Sequence, residues 1–66
     1  MDTYEWTELD RLTARLSELQ SRREAAAAKN RLGLLRQIDE EILRAEVQRA
    51  RLVTHLTQRL IHHVAA

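Results

Sequence analysis

Apolar residues recur at helical spacing through the second half of the chain, from Leu34 to Val64, with no Gly or Pro between them. Steps of three and four residues place side chains on one stripe of a helix with about 3.6 residues per turn. One stripe contains Leu35, Ile38, Ile42, Ala45, Leu52, Leu56 and Leu60. The neighbouring stripe contains Leu43, Val47, Ala50 and Ile61. Together they span roughly 200° of the circumference, more than one neighbouring helix buries, so we predict a long helix with two packing partners.

The first half of the chain predicts a helix with a narrower apolar seam. Alternate steps of three and four residues, the a/d spacing of a coiled coil, separate Leu9, Leu12, Leu16 and Leu19. Either Asp2 or Thr3 suits the N-cap position, and Glu5 stands at the capping-box spacing from Asp2. We therefore expect this helix to begin at about Thr3.

The one plausible break between the two helices lies within residues 29–33. Asn30 and Gly33 both adopt the left-handed backbone conformation readily, which favours a chain reversal there. The resulting prediction is an all-α, two-helix antiparallel hairpin, with helices at about residues 3–29 and 34–64. The alternative is one long coiled-coil helix, because the apolar positions before and after the break stay roughly in phase.

Charge is distributed unevenly along the chain and favours antiparallel packing. The first ten residues carry four acidic side chains and no basic one, whereas the residues after Glu46 carry Arg and His but no acidic side chain. A hairpin lays these two segments beside each other. Two straight helices packed antiparallel would place the same charges together, so charge alone leaves the single long helix open.

The length and composition of the chain indicate one small helical domain over residues 1–66. The sequence has one Gly, no Pro and no Phe, and it lacks Cys, so disulfides cannot stabilise it. Because a domain of about 60 residues buries only about 60% of its unfolded surface, we expect oligomerisation, with two hairpins forming a four-helix bundle. The acidic N-terminus and the lack of an apolar run of about 20 residues predict a cytoplasmic protein that does not bind membranes.

The sequence shows no catalytic or cofactor motif. It contains no glycine-rich phosphate loop, no HExxH zinc motif and no nucleophile elbow, so we expect no enzymatic activity, no catalytic residue and no cofactor. His55 and His62 share a face with polar residues but stand about 10 Å apart along a helix, too far to bind one ion. With His63 adjacent to them, we predict an exposed histidine face and no metal site.

These observations predict a non-enzymatic protein–protein interaction module, an adaptor or co-chaperone, that acts through the wide apolar face of the second helix. The residues expected to face the partner are Leu43, Val47, Ala50, Ile61 and Val64. Trp6 either covers the open end of the apolar seam or anchors a partner, because Trp is enriched among residues that dominate interface energies. The expected partner is a second copy of the chain, a larger helical protein, or both.

A second hypothesis is a dimeric four-helix-bundle regulator that binds RNA or DNA. A basic strip along one face of the second helix contains Arg44, Arg51 and Arg59, together with His55 and His62. Arg contacts to phosphates would hold nucleic acid there. A formal net charge of +1 provides no strong field to attract it, and no aromatic residue lies between these arginines, so this hypothesis ranks second.

The C-terminal tail from Leu60 to Ala65, with the sequence LIHHVA, on a short two-helix chain resembles the end of the small co-chaperones of type III secretion needle subunits. The resemblance implies that the hairpin packs on a larger repeat-type chaperone. It further implies that the pair keeps the needle protein monomeric in the cytoplasm. Within the tail, it suggests Ile61 and Val64 as the residues that face the partner.

Overall fold

The computed structural model describes residues 3–65, with side chains described for residues 4–62. It contains two α-helices, α1 at Thr3–Ala28 and α2 at Leu32–Ala65, which pack side by side as an antiparallel hairpin. The predicted all-α hairpin is confirmed, with each helix end within two residues of its predicted place, and the alternative of one long helix is wrong. Asp2, the other N-cap candidate, lies outside the described residues.

A Schellman motif ends α1 and reverses the chain. The backbone N–H of Arg31 donates to the carbonyl of Ala26 (2.9 Å), and the N–H of Asn30 donates to the carbonyl of Ala27 (3.1 Å). These are the two hydrogen bonds that define the motif. Asn30 supplies its left-handed residue, with a φ of 55°. The second helix then begins at once, since the N–H of Leu35 donates to the carbonyl of Arg31 (2.9 Å).

Gly33 takes no part in the reversal, contrary to the expectation from sequence. It lies in the first turn of α2 and its φ is not positive. Asn30 alone completes the turn, so the helix resumes before Gly33 is reached. A Cβ atom built on Gly33 would meet no packed atom within 4 Å, so close packing does not require a glycine there either.

The contact between α1 and α2 is a single apolar seam, here called the inner seam. Its buried side chains are Leu12, Leu16, Leu19, Ala26, Ile38, Ala45 and Leu56. The most deeply buried is Leu19, which is 1% exposed, and Leu35 and Ile42 pack against the cluster around it. Removing apolar side chains of this size from water is the main force that holds two helices together. The stability of the hairpin therefore comes mainly from the apolar side chains of α2 that face α1.

Leu60 departs from the predicted stripe, because it is 57% exposed although Leu56 is buried. The step from Leu52 to Leu56 is already four residues, so a second step of four rotates Leu60 away from α1. A step of three from Leu56, which the alternation requires, reaches Arg59 instead. Arg59 faces α1 and contacts Glu5. Strict alternation of three and four is what keeps a seam facing its neighbour.

Ion pairs cross between the helices beside the inner seam. Arg15 lies 3.5 Å from Glu41, and Arg23 Nε donates to Asp39 Oδ1 at 2.5 Å. Asp39 is therefore engaged within the hairpin. Exposed pairs contribute only about 0–1 kcal/mol each to stability. Their main effect is on register, because oppositely charged side chains of α1 and α2 meet only when the helices are aligned in this way.

The hairpin is a thin rod of 54 × 16 × 12 Å. Its length matches the roughly 50 Å expected for the 34 residues of α2 at about 1.5 Å per residue. A pair of helices has only one internal seam, so the face of α2 opposite α1 lies at the surface. This geometry determines where a binding surface can be.

Replacing Asn30 with Ala is expected to lower the free energy of unfolding by about 1 kcal/mol, because Ala incurs the steric penalty of the left-handed conformation. The matched control is Asn30→Gly, which should be as stable as the wild type or slightly more stable. Urea denaturation followed by circular dichroism, at one fixed protein concentration, measures both changes. An Asn30→Ala variant as stable as the wild type would contradict the assignment of Asn30 to the Schellman motif.

Gly33→Ala is expected to raise the free energy of unfolding by roughly 0.5–1 kcal/mol, because Gly33 has helical backbone and open space around it. The reverse substitution, Ala14→Gly on the exposed face of α1, should lower it by a similar amount. Thermal unfolding of the two variants beside the wild type provides the comparison. Destabilisation by Gly33→Ala would show that α2 begins later than Leu32 in solution.

Candidate interaction surface

A second apolar seam, here called the outer seam, runs along the face of α2 opposite the inner seam. Its residues alternate steps of four and three, and they are Leu43, Val47, Ala50, Thr54, Thr57 and Ile61. All six are exposed, with values of 61% for Leu43, 40% for Val47 and 63% for Ile61. A helix with coiled-coil spacing on two faces can pack on two neighbours at once.

The outer seam contains the predicted partner-facing residues of α2 whose side chains are described. A search for apolar residues alone passes over Thr54 and Thr57, which complete the spacing. Val64 continues the same spacing in the sequence, but its side chain lies outside the described part of the chain. Exposure does not identify what binds, so the partner-facing role of these residues stays a prediction.

Trp6 lies on one flank of the hairpin with two further apolar residues, Val53 and Leu60. With Leu9 of α1 and Ile42 of α2 as heptad a positions, Arg15 and Glu41 are both g positions, and they meet on one flank of the hairpin. In an antiparallel pair the e positions of the two helices then share the other flank. Trp6, Val53 and Leu60 are e positions and are 49%, 43% and 57% exposed. We call these three residues the open-end patch. On α2 the patch lies between the inner and outer seams, so it widens the exposed apolar surface.

Glu5, His55 and Arg59 form a charged cluster at the open end of the hairpin. Arg59 Nη1 donates to Glu5 Oε1, and His55 Nε2 lies 3.5 Å from Glu5 Oε2. The Glu5 side chain is 23% exposed, and its Oε2 atom is buried without a hydrogen bond. His55 therefore lies close to this carboxylate oxygen without a hydrogen bond to it. This cluster places the acidic beginning of the chain beside its basic end and holds Trp6 level with the last turns of α2.

The arginines of the predicted nucleic-acid strip have different surroundings. Arg44 and Arg51 are exposed, whereas Arg59 occupies an inner-seam position and contacts Glu5. His55 also contacts Glu5, so two members of the strip are engaged within the hairpin. Each engaged side chain leaves fewer charges to contact phosphates. The nucleic-acid role of these residues stays a prediction, and the contacts with Glu5 weigh against it.

A cleft of about 290 Å³ lies beside the turn, where Ala25 and Ala26 of α1 face Leu34 and Ile38 of α2. The alanines are too small to fill the space between the helices, so the cleft is a gap in packing that opens to solvent. Among the side chains described, those of residues 4–62, no three from His, Cys, Asp or Glu come together as a metal site would require. Exposed large apolar side chains outside the outer seam and the open-end patch are Tyr4, Leu32 and Leu34.

Comparison of the chain with protein family models, with curated proteins and with solved structures finds no match in any of the three. The resemblance of the tail to needle co-chaperones therefore stays a prediction. Among the described residues, neither helix contains a stretch that is both long enough and apolar enough to cross a membrane.

Glu5→Gln is expected to lower the free energy of unfolding by about 1 kcal/mol, because it removes the negative charge that faces Arg59 and His55. Glu24→Gln, on an exposed position of α1, is the matched control and should change it by less than about 0.5 kcal/mol. Urea titration at one protein concentration measures both. Equal effects of the two substitutions would show that the open-end cluster does not join the helices in solution.

Proposed function

We propose that this chain is a non-enzymatic protein–protein interaction module, an adaptor or co-chaperone, in which the outer seam of α2 binds a helix of another polypeptide. The observation that carries this proposal is the coiled-coil spacing of exposed residues from Leu43 to Ile61. Scattered apolar residues are ordinary on a protein surface, whereas a contiguous apolar patch marks an interaction site.

The side chains of the outer seam suit a helical partner. Steps of three and four residues create the holes into which the side chains of a second helix insert. Ala50, Thr54 and Thr57 are small, so a partner helix can approach the backbone of α2 closely in the middle of the seam. Larger side chains, Leu43 and Ile61, stand at its two ends. A single neighbouring helix fits this shape better than a flat surface does.

The open-end patch supplies an anchor beside the seam. Trp residues are over-represented among the side chains that contribute most to binding, and Trp6 is half exposed on the same flank of the hairpin as Val53 and Leu60. A partner helix on the outer seam lies close enough to the e positions of α2 to cover part of this patch. Trp6 is therefore proposed as a contact of the partner.

The resemblance of the C-terminal tail supports a more specific version of the proposal, in which the partner is a larger repeat-type chaperone in type III secretion needle assembly. Ile61, one of the two residues that the resemblance suggests as partner-facing, is 63% exposed on the outer seam. This version needs the same surface as the general proposal.

Two charged substitutions on the outer seam test the proposal. The double variant Val47→Glu with Ala50→Arg is expected to weaken association about tenfold or more, because it places charges in an apolar interface. Ala14→Glu with Ser17→Arg is the matched control, since it puts the same charges at the same spacing on the exposed face of α1. Sedimentation of the purified chain and capture of partners from extracts of the producing cells measure association, and circular dichroism verifies that each variant remains helical.

The two variants are expected to differ in association while both remain helical. Unchanged association of the Val47→Glu, Ala50→Arg variant would show that the outer seam is not the binding face. Equal loss in the control would point instead to a general effect of added charge.

A further inference from the structure

We propose that the occupant of the outer seam is a second copy of this chain, laid antiparallel so that Ala50 faces Ile61 of the second copy and Thr54 faces Thr57 of the second copy. This inference rests on the proposed function, because it names the partner of the same surface. The two-fold axis then passes between Thr54 and Thr57. Each protomer contributes the same residues to both halves of the interface, as two-fold symmetry requires.

The surface area of the hairpin supports a partner that buries a large face. The chain exposes 5480 Å², whereas a folded monomer of 7.7 kDa exposes roughly 4,300 Å² by the scaling of area with mass. The excess of roughly 1,200 Å² exceeds the ~800 Å² that each partner buries in a standard interface. Pairing with a second copy lets both chains cover this excess in one contact.

The layers of the seam are filled most evenly in this register. Large residues opposite small ones give layers of similar volume, which is what close packing requires. Ala50 with Ile61 and Thr54 with Thr57 satisfy that condition. A parallel dimer would instead place Ala50 against Ala50 and Ile61 against Ile61, leaving one thin and one thick layer.

A shift of seven residues from this register also packs less evenly. The shifted antiparallel pairing places Leu43 against Ile61 and Ala50 against Thr54. One layer then holds two large side chains and another holds two small ones, which is the same defect as in the parallel arrangement. Of the three arrangements compared, the proposed register gives the most even layers over residues 50–61, and Leu43 lies outside the pairs that it forms.

The flanks of the seam agree with the same register. On one flank Val53 meets Leu60 of the second copy, so the open-end patches of the two hairpins, including Trp6, come together. On the other flank Arg51 lies near Gln58 of the second copy, which avoids a pair of like charges. The shifted register would place Leu60 beside the carboxylate of Glu46 of the second copy. Apolar contact on one flank and a contact without like-charge repulsion on the other both favour the first register.

Crosslinking of single-cysteine variants tests this arrangement, because the chain has no cysteine of its own and both positions are exposed in the hairpin. Ala50→Cys chains are mixed with isotopically labelled Ile61→Cys chains and treated with a short bismaleimide. Mixed crosslinks should form about a hundredfold faster than crosslinks between two Ala50→Cys chains. Facing thiols have an effective concentration near millimolar, whereas the two copies of residue 50 lie about 16 Å apart along the axis.

Ala50→Cys chains that crosslink with each other as fast as with Ile61→Cys chains would overturn the antiparallel arrangement. A wild-type chain that sediments as a monomer at micromolar concentration would overturn the second copy as occupant. Neither result affects the proposed function, which fails separately if Val47→Glu with Ala50→Arg leaves every association of the chain unchanged, that with a second copy and that with any other protein.

Discussion

The structure depends on one constraint, which is that a single neighbouring helix can cover only one face of α2. The inner seam against α1 buries Leu56 to 5% exposure, while Ile61, little more than one turn further along the same helix, remains 63% exposed. No rearrangement of a two-helix chain removes this imbalance, because turning α2 to bury Ile61 would expose Leu56. The rod shape, the large surface and the expectation of a partner all follow from it.

The turn and the charged contacts decide how that constraint is met. Asn30 allows α2 to begin directly after α1, so the two helices lie close together and their seams face each other. The contact of Arg23 with Asp39 near the turn and that of Arg59 with Glu5 at the open end hold the same register along the rod. Exposed ion pairs of this kind add little stability, but a slipped register would separate them while also misaligning the leucines. Register and burial therefore favour the same structure.

Periodicity predicts the two helices, their ends and the antiparallel hairpin because these depend on local spacing and on turn residues. Periodicity predicts less well which side chains continue to face α1 over several turns of α2. Leu60 looks apolar and well spaced from Leu56, yet the alternating pattern assigns the inner position to Arg59. Arg59, a basic residue at a seam position, is explained only when Glu5 is known to lie opposite it. These two residues are 54 positions apart in sequence, so local spacing does not predict their contact. The open-end patch is predicted only in part, because sequence places Trp6 at the open end of the seam, whereas Val53 and Leu60 share its flank only in the folded hairpin.

The predicted binding residues of α2 lie together because they share one helix, so their clustering required no tertiary information. Identifying the partner of these residues does require tertiary information. Coiled-coil spacing fits many helices, and the sequence contains no motif that specifies a ligand. If the partner is a second copy, as we propose, the evenness of layer volumes favours one register among those compared. Layer volume depends on pairs of side chains from two helices, so the sequence of one helix does not determine it.

The most direct measurement of whether the outer seam is covered is the solvent accessibility of methyl groups by NMR in the presence of a soluble paramagnetic agent. Leu19, 1% exposed, and Leu32, 72% exposed, provide internal references for buried and exposed methyls. If α2 packs on two neighbours, the methyls of Val47 and Ile61 in the assembled protein will be protected nearly as well as those of Leu19. Relaxation of Val47 and Ile61 as strong as that of Leu32 would contradict it.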